Sequence, residues 1–547
     1  MTQASRDVEQ HGSTNITTHT SQTLFQHIAQ RVPQRLLLGV VLCVIALGFN
    51  LYRLGAPSIW FDEAFSVELA RQPLPLLWHI IFDLEPNMEL YYLFLHFWLG
   101  LTSLFGLHAT EFVVRLPSAI FAALSVGVVF LWGQRFLNTT AGVVGATLYL
   151  LNYLQLIYAQ QTRAYSLQLL LTCLAWYALF SALTSTTHTR RWWICYTIAT
   201  VLAIYTHIFS GLILIAQLVA VTGILLASKQ RRAGALVHFK ALVICLVAVA
   251  ILIIPMLLVS LQGAKTGWLP IPHRQELVGL FLILGGYHTI YLVALIACIA
   301  LSIAVVVSRR LLPKLRVLMR SDIQAQKLTQ KLTSLEIAWS LLCWLVIPIV
   351  VSYAVSHSSL RLFSDRYLVT IVPPLCLLMV LGISLLRWRL VRVILALGVI
   401  AIALTPVPLY YRSAQVEDWN VATSWVQQHY REGDGLVCYD NSLQQGCQVT
   451  VEYYLQAYPS AAHFTSDSPG PFSWQTFESA NPDAAVDPTV LASFGAKHAH
   501  IIFIVGRIRD DAAAARFDAA QRWLDSHYHR TDQFETRTVR VYLYDTK

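Results

Sequence analysis

The chain has 547 residues, 56% of them hydrophobic and only 13% charged, with a formal net charge of +9. Soluble domains carry about 25% charged residues, so a mean hydropathy of +0.55 excludes an ordinary soluble domain and indicates an integral membrane protein. The basic excess is no nucleic-acid footprint: residues 412–547 hold 17 acidic and 11 basic residues, net −6, leaving +15 for residues 1–411, in loops between apolar runs.

In chain order, a polar arm covers 1–34, with no cleavable leader evident, and is expected to be cytoplasmic. Apolar runs then recur at roughly 35–52, 113–133, 141–159, 165–184, 192–207, 209–227, 241–260, 287–307, 336–355, 367–386 and 391–410. That makes about eleven segments near the 20 residues needed to span at 1.5 Å rise. Basic residues gather in alternate loops, among them Arg190, Arg191, Arg231, Arg232, Arg309, Arg310, Arg387 and Arg389. The positive-inside rule then predicts a cytoplasmic N-terminus, and an odd number of spans puts the C-terminus outside.

The acids are distributed unevenly. Residues 1–411 contain 13 Asp and Glu. Seven of these (Asp62, Glu63, Glu68, Asp83, Glu85, Glu89 and Glu111) fall in the first loop expected outside. The loop is otherwise apolar and aromatic ("SVELARQPLPLLWHIIFDL", "LYYLFLHFWLGLTSLFG"), as expected for juxtamembrane helices with Trp60, Trp78, Tyr91, Tyr92 and Trp98 at headgroup level. Ionisable groups held at membrane depth are functional candidates. For a single acid at a span end the competing reading is a helix cap. A cluster of seven outweighs it.

Three further outside segments carry cations or a histidine at span mouths. "YAQQTRAYSLQ" holds Arg163 and Tyr165, "IYTHIFSG" holds His207, and "SLRLFSDRYLVTIVPP" holds Arg361, Arg366 and Tyr367. Guanidinium groups bind phosphate bidentately, although a lone arginine at this depth also snorkels. A carboxylate facing arginines suits group transfer from a lipid-phosphate donor: the carboxylate takes the acceptor's proton while the arginines stabilise the departing phosphate.

From about 411 onward helix-like stretches ("DWNVATSWVQQHY", "DAAAARFDAAQRWLDSHY") alternate with strand-like ones ("GLVCYD", "HIIFIVG", "VRVYLYD"), predicting a small α/β domain. Seven of the nine cysteines lie in apolar runs, where they act as small hydrophobes. Cys438 and Cys447 lie in the tail, and spacing alone leaves open whether they are bonded.

The segments "WFDEAFS", "EPNMELYYLFLHFW", "VVRLPSAIFA", "YAQQTRAYSLQ", "YTHIFSG" and "FSDRYLVTIVPP" occur in an order that resembles bacterial GT-C membrane glycosyltransferases. The resemblance is to the protein mannosyltransferase and aminoarabinose-transferase-like superfamily and covers roughly 35–410. It implies a mainly α, polytopic GT-C fold and an inverting transferase in the bacterial inner membrane. Such an enzyme uses a polyprenyl-phosphate sugar donor, and its active site faces away from the cytoplasm toward a glycan, lipid or protein acceptor. Carried over, Asp62 matches the first-loop general base and Glu63 its partner. Arg163 with Tyr165, and Arg366 with Tyr367, match steps associated with the donor phosphate. Arg361 and, from the "EPNMELYY" step, Glu85, Asn87 and Tyr91 are further substrate-contact candidates. Some relatives bind a divalent metal ion, for which Glu85, Glu89 and His207 are the candidates here. Glu89 stands where relatives often have proline, and a histidine found there in some is missing, which weighs toward a metal-independent mechanism. The division expected is an arm (1–34), a GT-C transmembrane catalytic domain (35–410) and an extracytoplasmic α/β domain (411–547).

A transporter or flippase for lipid-linked saccharide is the alternative reading. Transporters place ionisable groups mid-span and show paired, broken repeats. Here acids avoid span centres and no repeat is apparent.

Overall fold

The computed structural model describes residues 34–547 apart from 86, 186–187, 227–228, 261–268, 312–331, 441–443, 457–461, 471, 480, 482, 507 and 509. The arm expected over 1–34 thus lies outside the described residues except for Gln34.

Each of the eleven apolar runs is helical, since in hydrocarbon a backbone satisfies its own polar groups by closing them within a helix. Among the described residues, seven helices are long and apolar enough to cross a membrane: Glu111–Phe136, Tyr165–Thr184, Ile208–Leu226, His238–Ser260, Thr289–Arg309, Ser334–Val355 and Arg389–Ser413. Leu36–Leu51 and Val369–Leu385 are apolar but shorter, and Thr189–Thr206 accounts for a tenth run. Where neighbouring helices touch most closely, small residues allow it. A Cβ on Gly133 would fall 2.7 Å from the Cα of Gly142, so neither position has room for a side chain.

The run 141–159, expected as one span, is broken into Thr139–Leu151 and Tyr153–Ala159, bent by 67°. Asn152 makes the break. Its Oδ1 accepts from the amides of Leu154 (3.1 Å) and Gln155 (3.3 Å), and its Nδ2 donates to the carbonyl of Leu284 at 3.2 Å. A side chain capping a new helix in this way competes with continuation of the old one. The short second helix ends at a loop that carries Arg163 toward the segment 52–110.

That segment folds as Phe61–Arg71, then Leu74–His79 running into a π turn over Ile80–Leu84, then Glu89–Leu104. The Phe61–Arg71 helix does not lie bare on a membrane surface. Glu63, Ala64, Ser66, Val67, Glu68, Leu69 and Ala70 are all buried, because the helix packs against Glu89–Leu104 on one side and the tail helix Gln444–Leu455 on another.

The tail forms the expected α/β unit. Its strands are β1 (Gly435–Asp440), β2 (Phe472–Ser473), β3 (Glu478–Ser479), β4 (His500–Gly506), β5 (His529–Glu535) and β6 (Val539–Asp545). β2 and β3 pair as a small hairpin, and the main sheet runs β1-β4-β6-β5. β1 and β4 are parallel, with Gly435 opposite Ile501; the other pairs are antiparallel. Strands buried on both faces read as continuous apolar runs, as β4 does. Leu436, Ile502 and Ile504 meet Trp419, Val426 and Val451 on one face. On the other, Val437, Phe503 and Val505 meet Leu491, Phe494, Phe517 and Leu524. Cys438 of β1 is bonded to Cys447 of Gln444–Leu455, with Cα atoms 5.8 Å apart, a normal separation for a disulfide.

Candidate active site

Asp62 occupies the first turn of the Phe61–Arg71 helix. Two arginines from distant parts of the chain converge on it. Arg366 Nη1 donates to Asp62 Oδ2 over 3.0 Å, and Arg163 Nη2 lies 3.7 Å from the same oxygen. Arg163 Nη1 also donates to the Asp62 carbonyl and to Ser66 Oγ, both at 3.0 Å, so its guanidinium is fixed against the helix. The Asp62 side chain is 19% exposed and that of Arg366 28%, against 9% for Arg163. Two guanidiniums face one carboxylate in a place that solutes can reach. Among these three groups the excess is one positive charge, which suits an anionic group able to compete for both arginines.

Aromatic rings wall this cluster. Tyr165 lies under the Arg163 guanidinium at 5.8 Å, with Tyr158 at 4.4 Å and His207 at 5.4 Å from its ring. Tyr367 stacks on Phe209 at 4.1 Å and lies 5.2 Å from His207. Of the expected residues, Asp62, Arg163, Tyr165, Arg366, Tyr367 and His207 are therefore brought together.

Others are placed differently. Glu63 is completely buried, paired bidentately with Arg115 (Nε to Oε1 2.8 Å, Nη2 to Oε2 2.6 Å), and accepts the Thr162 amide at 2.7 Å. Arg115 also donates to the carbonyls of Leu54 (3.1 Å), Pro57 (2.7 Å) and Ser58 (3.0 Å). Expected as a catalytic partner of Asp62, Glu63 instead projects from another side, about 100° round the helix, and ties the entry to that helix into the bundle. Arg361 donates to the carbonyls of Ser356 and Ser358 beyond the Ser334–Val355 helix, a helix-end role. Tyr91 is fully buried behind its neighbour, 6.3 Å between ring centres. It is Tyr92 that feels both Arg163 and Asp62. Asn87 and Glu85 stay half-buried at the turn before Glu89.

Glu89 is 1% exposed, its oxygens have no hydrogen-bond partner among the described residues, and burial, with nearby Glu85 adding to it, pushes its carboxyl up to about 8. Glu85, Glu89 and His207 do not form a common ligand set, and no group of three or more His, Cys, Asp or Glu among the described residues is placed to hold a metal ion. His207 Nδ1 accepts the Phe209 amide at 3.4 Å, which leaves the proton of a neutral ring on Nε2, a hydrogen-bond donor rather than a metal ligand. Arg163 and Arg366 also lie close enough to act on its charge, an unfavourable setting for a cation. These residues do not fit a resident divalent ion.

Arg115 and Tyr92 are the residues that sequence reasoning missed. Arg115 carried a signal, a lone arginine at the third position of the apolar run 113–133. Tyr92 was separable from Tyr91 only by which side of the helix faces the cluster.

Residues 77–258 match the family model described as dolichyl-phosphate-mannose-protein mannosyltransferase. No curated protein matches the sequence. Among solved structures, the fold is similar to ArnT from Cupriavidus metallidurans bound to undecaprenyl phosphate, with TM-score 0.54 and 13% identity over 94% of this chain and 98% of that one. ArnT in the apo state gives 0.53 and 14%, with the same coverage. The Archaeoglobus fulgidus oligosaccharyltransferase in complex with zinc and sulfate gives 0.50 and 12%, over 92% of this chain and 72% of that one. Residues 77–258, from the first loop into the early spans, thus match the family model, and the fold is similar to that of ArnT over most of the chain.

Proposed function

We propose that the protein transfers a sugar, with inversion, from a polyprenyl-phosphate donor to a hydroxyl of an extracytoplasmic glycan, lipid or protein, with Asp62 as general base. The observation that carries this reading is the partly exposed carboxylate of Asp62 between Arg366 and Arg163. A phosphate entering this cluster competes for both guanidiniums, which frees the carboxylate to face the acceptor. The acceptor oxygen attacks the anomeric carbon and its proton passes to Asp62. The carbon–oxygen bond to phosphate breaks with its electrons on the departing phosphate, where the arginines meet the charge. The likeness to a fold solved with undecaprenyl phosphate supports a polyprenyl phosphate as the leaving group. Arg163, Tyr165, Arg366 and Tyr367 form the donor-phosphate side of the site, and the His207 Nε2–H adds a further donor there. Glu63 and Arg115 hold the base's helix in place. The site and the tail face outside a bacterial inner membrane in this reading, because basic loops favour the other side.

The test supplies purified protein with labelled polyprenyl-phosphate sugars. Transfer should occur and should fall about 10²–10⁴-fold in Asp62→Asn; full activity in that variant rules out the base assignment.

A further inference from the structure

The Phe61–Arg71 helix begins without a cap of its own: Trp60, at its N-cap position, makes no side-chain hydrogen bond to it. The first amides of a helix have no intrahelical partner and need one from elsewhere. Here the tail supplies it. Glu417 Oε2 accepts the Phe61 amide at 3.0 Å, from a residue 2% exposed and held by the Trp419 indole at 2.8 Å. A carboxylate at this end also complements the helix dipole. Just upstream, Tyr454 OH accepts the Ile59 amide at 2.8 Å and donates to Glu111 at 3.0 Å, while the Asn420 amide donates to Ser58 Oγ at 3.2 Å. Arg115 holds carbonyls of this same stretch from the bundle side. The stretch leading into Asp62 is therefore gripped by its carbonyls from the membrane helices and by its amides from the tail.

We infer that Glu417, seconded by Tyr454, is a positioning residue of the transfer reaction: it caps the helix that carries Asp62 and fixes the carboxylate against Arg366 and Arg163. The tail is then a working part of the site, required for the geometry of the base whether or not it touches an acceptor. This inference rests on the proposed roles of Asp62 and the two arginines.

The consequence can be read without knowing the sugar. Asp62 cancels one of two positive charges, so displacing it leaves both guanidiniums to an incoming phosphate. Binding of unglycosylated polyprenyl phosphate to the full-length protein should tighten about 3- to 10-fold in Glu417→Ala, as it should in Asp62→Asn. In the double variant there should be no further gain, since the two changes act through one carboxylate. Glu417→Gln, which keeps a carbonyl acceptor for the Phe61 amide, should restore wild-type affinity. An equal effect of Glu417→Ala in the wild-type and Asp62→Asn backgrounds, or no effect at all, would overturn the inference. If Glu417→Ala does not fold, Tyr454→Phe enters the same cycle with the same expected outcomes. Hydrogen exchange across residues 58–66 separates the two layers of argument. If Asp62→Asn leaves phosphate affinity unchanged, the donor-site reading is wrong. Faster exchange in Glu417→Ala then still upholds the cap, and unchanged exchange removes it.

Discussion

The Arg366 guanidinium rests 3.0 Å from the Asp62 carboxylate across 304 residues of sequence. The pair joins the start of a juxtamembrane helix to the turn before a bundle helix, and Arg163 closes the third side at 3.7 Å. Under the proposed function a phosphate must break into this arrangement to bind, so the strength of the arginine contacts would set donor affinity.

Arg366→Ala should weaken binding of polyprenyl phosphate about 10- to 100-fold, the range of one charged hydrogen-bonding group. Acceptor KM should change far less. Arg366→Lys should recover only part of the loss, because an ammonium lacks the forked geometry. Equal losses in donor and acceptor would argue against a donor-phosphate role.

Glu63 and Arg115 form a different kind of pair, with only 0% and 2% of their side-chain surface exposed. Glu63→Ala should destabilise the fold by about 3–5 kcal/mol, because it leaves the Arg115 charge buried without its counter-ion. Replacing both by apolar residues of similar volume should cost less than the two single changes added together. Thermal unfolding of the three variants in one detergent checks this.

Glu452, in the tail helix against the first loop, is pushed up to about 7 by burial, with Glu68 adding to the effect. The folded state then keeps this proton after the unfolded chain has released it near 4.5. Its contribution to stability is therefore full below about pH 4.5 and is lost as pH rises to about 7. Glu452→Gln should match the wild type at pH 4 and exceed it by about 3 kcal/mol at pH 8. Melting curves at the two pH values decide it, and a difference of the same size at both would reject the assignment.

The Cys438–Cys447 bond closes a separation of nine residues. Reduction should lower the stability of the tail by about 2–3 kcal/mol on the chain-entropy estimate. If the tail is extracytoplasmic, both thiols should resist alkylation in intact cells until a reductant is added. Ready alkylation without reductant would contradict the bond in the cell.

Much of the fold was legible because spanning helices impose a long apolar run wherever they occur, and all eleven runs are helical. Apolar runs in the tail marked β1, β4 and β6 for the same local reason, whereas the polar, mostly exposed β5 and the two-residue β2 and β3 gave no such signal. The break at Asn152 was less visible, since one polar residue in an apolar run gives no sign that its side chain will cap a new helix. At the site, Asp62, Arg163 and Arg366 stood out because charges are scarce at span mouths. Their chemical types and depth in the membrane were written locally.

What sequence alone determined, then, is the class of protein, the run of helices and strands, and a short set of charged candidates. The tertiary structure decided which candidates meet. It turned Glu63 into a buried partner of Arg115, placed Arg361 at a helix end, kept Glu85, Glu89 and His207 from forming a metal site, and brought Glu417 of the tail to the helix of Asp62. The reason is physical. Hydrophobicity and helix periodicity are properties of neighbouring residues, whereas the partner of a charge depends on which helices lie side by side and which face each one turns inward.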